Sequence, residues 1–324
     1  MKYAFDNVNL IDGTQDMRVQ PGLCVLTDGE TITDIVPAGT APAGYTRIDL
    51  HGRYLLPGLI NMHVHLAGNG KIQKKQRDLE TLVRRILSNP VSRAVAYRMV
   101  CSFARTELLG GVTTIRTVGG LDTFDTRLRD EIRAGRRIGP RVLAANEGIS
   151  VPGGHMAGSV AIAARTVDEA LAQVDAVHAQ GADLVKLMIT GGVMDATERG
   201  MPGEVKMPAE MMRAVLGNDT SCQWVAQYDF WRELCYFHEY AGASNACALY
   251  CATGQSARMA GLGDVTGTLR PGLCADMLVT SKNPLADLRA LRTLDMVVAR
   301  GRIIDRPRPK RNARLDAGLD TLLA

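Results

Sequence analysis

Hydrophobic and polar positions change their rhythm twice along the chain. Over the first fifty-odd residues, "YAFDNVNLID", "GLCVLTDG", "TITDIVPA" and "YTRIDLHGRYLLPG" show alternating or short apolar runs cut by Gly, Asp and Pro. That texture predicts short strands separated by turns. It returns late, in "GTLRPGLCADMLVTSKNP" and "LDMVVARGRII", and "PGLC" stands at both Pro21 and Pro271. The two stretches flank everything else, so residues 1–56 and 263–305 are expected to pair as one small β-sandwich domain built from both ends of the chain.

Between them, over 57–262, strands alternate with helices. "GVTTIRTVGG" is a β-branched strand ending in glycines, and "RVLAANEGIS" is another, preceded by a helix around Thr126 to Ala134. "TVDEALAQVDAVHAQG" reads as an amphipathic helix: Thr166 caps it, Glu169 completes a capping box and Gly181 stops it. "ADLVKLMITGG" follows as a buried strand, and a further helix is expected from Pro208 to about Val215. This α/β alternation predicts a parallel sheet with helices outside, doubly wound or a barrel. There is no GxxxxGK[ST] loop, and the glycines of "GGVTTIRTVGG" lack GxGxxG spacing, which argues against a dinucleotide-binding fold.

Composition narrows the classes. The 324 residues are 46% hydrophobic and 22% charged, as expected of a soluble globular chain. A formal charge of +4 is small for this length and is no nucleic-acid footprint. The dense basic stretch "DRPRPKRNAR" lies near the C-terminus among prolines, so 306–324 is expected to be a solvated basic tail. Seven cysteines without a CxxC pair suit a reducing cytoplasm, and Cys247 and Cys251, four apart, read as packing residues. "MKYAFDNVNL" does not read as a signal peptide, and no run approaches the ~20 apolar residues of a membrane span.

Candidate chemistry begins at "PGLINMHVHL". On a strand, His63 and His65 project from the same side. They fall at the C-terminal end of a strand starting near Leu59, where parallel α/β proteins place their active sites. Two imidazoles on one face make half of a zinc site, or else two ordinary polar residues at a strand end. Lys186 stands among Leu, Val, Leu, Met and Ile, where an ammonium is costly to bury, unless it snorkels to the strand edge. Asp219 in "GNDTSC" is a possible ligand or an Asx turn. His155 in "PGGHMAGS" lies on a glycine-rich loop, at a site's mouth or simply on the surface. His51, His178 and His238 read as structural.

Taken together, "LLPGLINMHVHL", "GVTTIRTVGG", "ADLVKLMITGG", "LGNDTSC" and "GTLRPGLCADMLV" resemble the metal-dependent amidohydrolase superfamily. Within it, they are similar to the imidazolonepropionase-like branch, which includes hydrolases of Xaa-Pro and Xaa-Arg dipeptides. The resemblance covers nearly the whole chain. It implies a TIM-barrel-type (β/α) fold with a flanking sandwich, and hydrolysis of a C–N bond (amide, dipeptide or cyclic amide) by metal-activated water. It implies that His63, His65, a carboxylated Lys186 and Asp219 bind zinc, that Asp219 is also the general base, and that His155 binds substrate.

The chain also departs from that pattern. "LGNDTSC" follows the helix ending near Val215 directly, with no room for barrel strands five to seven, so an incomplete barrel truncated near 215–217 is expected. The two metal-binding histidines of those strands are missing, which implies one zinc ion where complete relatives hold two. Thr117 stands where many relatives carry an acidic residue. An open edge favours a homo-oligomer. The expected partner is a small amide or dipeptide substrate, with neither nucleic acid nor membrane. The alternative is an inactive remnant serving as a binding or oligomerisation subunit.

Overall fold

The N-terminal texture forms short strands. These are β1 (Lys2–Ile11), β2 (Val19–Asp28), β3 (Thr31–Pro37), β4 (Thr46–Asp49) and β5 (Tyr54–Pro57). β1 and β2 bury apolar residues on both faces, Phe5 and Val25 on one and Ala4, Cys24 and Leu26 on the other. The computed structural model describes residues 1–68, 70, 78–150, 152, 155–188 and 224–323. β6 (Leu59–Val64) comes next, then α1 (Leu79–Ser88), α2 (Pro90–Leu109), β7 (Val112–Thr117), α3 (Phe124–Arg133) and β8 (Arg141–Leu143). They lead to β9 (Gly148–Ser150), β10 (Ala161–Ala163) and α4 (Val167–Ala179). Beyond the undescribed stretch lie α5 (Phe230–Ala241), α6 (Asn245–Tyr250), a π-turn (Cys251–Gln255) and α7 (Ser256–Met259). The chain closes with β11 (Met277–Thr280), β12 (Met296–Ala299), β13 (Arg302–Asp305) and α8 (Ala313–Asp320).

Both ends of the chain share one sheet, in the order β13-β12-β11-β5-β1-β2-β3, with β4 also on β1. The join is β5 against β11, antiparallel, with Leu56 opposite Leu278. This sheet has its own apolar cluster, including Phe5, Val25, Ile32, Leu55, Met277 and Val298. Asp276, 1% exposed, fastens it to the helix-and-strand half. Its carbonyl accepts from Gly58 N–H at 2.9 Å, and its carboxylate meets Thr266 Oγ1 at 2.9 Å and Arg141 at 3.3 Å.

β6, β7 and β8 form a parallel sheet in that order. Ile149 N–H donates to Lys186 O at 2.8 Å, and Met188 N–H donates to Ile149 O at 2.9 Å. Residues 186–188 therefore lie parallel beside β9, continuing the strand succession. Among the described residues the parallel sheet does not close, as expected of an incomplete barrel. The anticipated helix at 208–215 and the strand carrying Asp219 lie outside the described residues.

Helices cover the sheet because their apolar stripes match it. Val100, Ala104 and Leu108 of α2 and Phe124, Leu128 and Ile132 of α3 share a core with Leu59, Val64, Ile115 and Val142. α3 begins two residues before the expected start at Thr126. The capping box on α4 forms as anticipated: Glu169 N–H donates to Thr166 Oγ1 at 3.1 Å. Its return bond, from Arg165 N–H to Glu169 Oε2 at 2.6 Å, lands one residue earlier than a standard box.

The C-terminal segment is not the solvated tail anticipated from its charge. α8 buries Leu315 and Leu319 against Ala226 and Tyr228. Arg311 pairs with Asp229 at 3.1 Å and Asp316 at 3.0 Å, and Asn312 N–H donates to Tyr228 Oη at 2.8 Å. Arg311 serves as an anchor for an apolar face whose partners lie far upstream in the chain.

Candidate active site

The site grows from the two faces of β6. Ile60 and Met62 pack outward against Ala257. Asn61, His63 and His65 have the opposite parity, with His65 one step past the strand's end. Asn61 is fully buried, and its Oδ1 accepts from His63 N–H at 3.3 Å. Both imidazoles are half-buried.

His65 Nδ1 lies 2.8 Å from the carbonyl oxygen of Gly119, in the loop after β7. A carbonyl only accepts, so Nδ1 carries the proton and Nε2 presents its lone pair. This backbone-to-imidazole bond is the usual way a metal-binding histidine is oriented. The His63 and His65 ring centroids are 5.4 Å apart at 60°. Two imidazoles sharing one tetrahedral ion, with metal–nitrogen bonds near 2 Å, would have centroids about 5 Å apart. The pair therefore fits a shared divalent ion.

The strand carrying Lys186 converges on the same place. A Cβ on Gly119 would lie 3.2 Å from both His65 Cε1 and Met188 Cε. One on Gly148 would lie 3.0 Å from Met188 Cε and 3.4 Å from Lys186 Cγ. The Met188 methyl thus lies between Gly119 and Gly148, and the half-buried Lys186 stem approaches Gly148 as well. His155 occupies the turn between β9 and β10. Asp219 lies outside the described residues, so its position relative to these groups is not part of this geometry. Among the described residues, no three His, Cys, Asp or Glu side chains form a metal cluster.

Asp125, in the first turn of α3, escaped sequence reasoning. A carboxylate there reads as an ordinary helix-start residue. It is buried, and that burial pushes its carboxyl up to about 6, against the opposing effects of a Thr117 hydrogen bond and the nearby His65. A Cβ on Gly120 would stand 2.5 Å from its Oδ2, so the carboxyl props the loop that holds His65. Thr117 is itself buried and accepts from Ala145 N–H at 3.1 Å. Where an acidic side chain was expected at 117, a carboxylate from the following helix stands alongside.

Two of the remaining histidines lie away from the pair. His51 faces Asp49 at 3.3 Å on the surface, and His238 Nδ1 donates to Ala243 O at 2.6 Å where α5 ends. The buried Cys251 thiol is pushed up to about 12 by burial and by Cys247, as suits a packing residue. The chain returns beside the site at Trp224, whose N–H donates to Gly70 O at 2.9 Å. Gln227 Nε2 follows, donating to Gly68 O at 2.8 Å.

Comparison with known proteins follows the same line. The model of the amidohydrolase family matches residues 54–220. No curated protein matches. Among solved structures, a "putative prolidase" from Bifidobacterium longum is 26% identical, with a TM-score of 0.80 over 100% of this chain and 99% of its own. A Xaa-Pro dipeptidase with bound methionine in its active site is 21% identical, with a TM-score of 0.76 over 94% of this chain and all of its own. The ochratoxinase of A. niger is 16% identical, with a TM-score of 0.74 over 94% of this chain and 96% of its own. At those lower identities the likeness is one of fold.

Proposed function

The chain belongs to the amidohydrolase family, and from that premise we propose that it is a metal-dependent hydrolase of small amides, dipeptides first among them. The observation that carries this reading is the His63–His65 pair, held at 5.4 Å with the His65 tautomer set by Gly119. The names of the similar prolidase and Xaa-Pro dipeptidase support a dipeptide substrate.

In this reading His63 and His65 hold one ion together with Asp219 and with Lys186 in its carboxylated, anionic form. Imidazole and carboxylate donors suit zinc. Such an ion supplies Lewis acidity to the amide carbonyl and a water that is nucleophilic at neutral pH. Asp219 takes the proton from the attacking water and delivers it to the leaving nitrogen. His155 binds the substrate from the β9–β10 turn. The proposed organisation is a barrel half over 57–262 served by a sandwich from 1–56 and 263–305, working as a cytoplasmic homo-oligomer.

The test pairs metal content with turnover. The purified chain, supplied with zinc, should retain about one ion and release amino acids from a Xaa-Pro dipeptide, and His65→Ala should lose both. A wild type that retains no ion and cleaves no dipeptide or N-acyl amino acid would overturn the proposal.

A further inference from the structure

A second concave site lies away from the histidines. A crevice of about 130 Å³ opens where the end of α3 meets the β12–β13 and β2–β3 turns. Arg133, Arg137, Arg300 and Arg302 line it over a floor that includes Leu108, Ile132 and Ile304, with Glu30 as the acidic member of the lining. Four guanidinium groups face Glu30 on that lining, and with Glu131 neutralising Arg137 the local excess is two positive charges.

Arg137 is committed elsewhere and Arg300 is partly engaged within the crevice. Arg137 pairs with Glu131 and lies over the Tyr97 ring, 5.3 Å from its centroid. One Arg300 nitrogen donates to Ile132 O at 3.2 Å, at the carbonyl end of α3. That carbonyl end is worth about half a negative charge and does not balance the set. Arg133 and Arg302 form no ion pair with any described carboxylate. Like charges gathered beside an apolar floor repel unless a counter-anion joins them.

We propose that this crevice binds a phosphate group, free or carried by a small metabolite, through Arg133, Arg300 and Arg302. Guanidinium forks match tetrahedral oxyanions two bonds at a time. At about 30 Å³ per water, the crevice holds roughly four waters, or one compact oxyanion in their place. Its walls come from the α3 end and from the terminal sheet, so an occupant would tie the two halves of the chain together and raise heat stability.

The experiment is thermal melting of the full chain with inorganic phosphate, with glycerol phosphate, and with chloride at matched ionic strength. Each titration is repeated on the double variant Arg133→Gln/Arg302→Gln, both substitutions lying on exposed residues. The expected result is a saturable rise in melting temperature with phosphate or its monoester, absent with chloride and lost in the double variant. The tighter of the two ligands identifies the source of the phosphate group. Calorimetric titration of Arg302→Gln alone should show at least tenfold weaker binding. No saturable rise over chloride, or the same rise in the double variant, would overturn the site.

Discussion

His65 and Gly119 are joined by a 2.8 Å bond between an imidazole nitrogen and a backbone carbonyl, linking the ends of two adjacent parallel strands. Gly119 has φ +136°, and a Cβ there would crowd both His65 and Met188 at 3.2 Å. Gly119→Ala should therefore strain the loop by about 1–3 kcal/mol and turn the carbonyl away from Nδ1. Losing such an orienting bond weakens metal binding by roughly 10- to 100-fold. Competition against a graded chelator measures this directly. Wild-type affinity in Gly119→Ala would mean that the carbonyl does not orient His65.

Lys186 offers a separate test. If its amine is carboxylated, the modification is reversible and depends on dissolved carbon dioxide. Purification in degassed buffer should lower metal content, and bicarbonate should restore it. Lys186→Arg, which keeps a cation and cannot make the carbamate, should retain little metal with or without bicarbonate. Metal content indifferent to bicarbonate in the wild type would show that an unmodified lysine stands there.

How legible the molecule is depends on how local each determinant is. The His63-x-His65 spacing at the end of β6 and the Thr166 cap are set by neighbours within a few residues, and both hold in the structure. The pairing of the chain's two ends was legible from repeated strand texture, and the β5–β11 ladder joins them. Residues 79–109, which form α1 and α2, were assigned no element, although Asn89 caps α2 through Val91 N–H at 2.8 Å. Asp125 was missed because its role comes from burial under Gly120, which spacing does not reveal. The C-terminal helix was misread for the same reason. Its partners Tyr228 and Asp229 are more than eighty positions upstream, and an Arg-Pro run carries no mark of them.

That helix has a measurable weight. Leu319 is buried with Leu315, Ala226 and Tyr228. Leu319→Ala should lower the unfolding free energy by about 2–4 kcal/mol, the usual cost of emptying a buried leucine site. Denaturant unfolding checks it. A change below about 0.5 kcal/mol would return the segment to the status of a tail.

Glu233, on α5, sets a pH dependence of stability. Burial pushes its carboxyl up to about 7. The unfolded chain loses that proton near pH 4.5, while the folded chain keeps it until about pH 7. A folded-state pKa raised in this way means that the stabilisation is complete below about pH 4 and fades as pH rises through 7. Glu233→Gln removes the penalty for burying the charge, so at pH 8 the variant should be more stable than the wild type by about 1–3 kcal/mol. At pH 4 the two should be nearly equal. Melting curves from pH 4 to 8 decide it: a gap that does not widen with pH would mean that Glu233 ionises as an ordinary surface carboxylate.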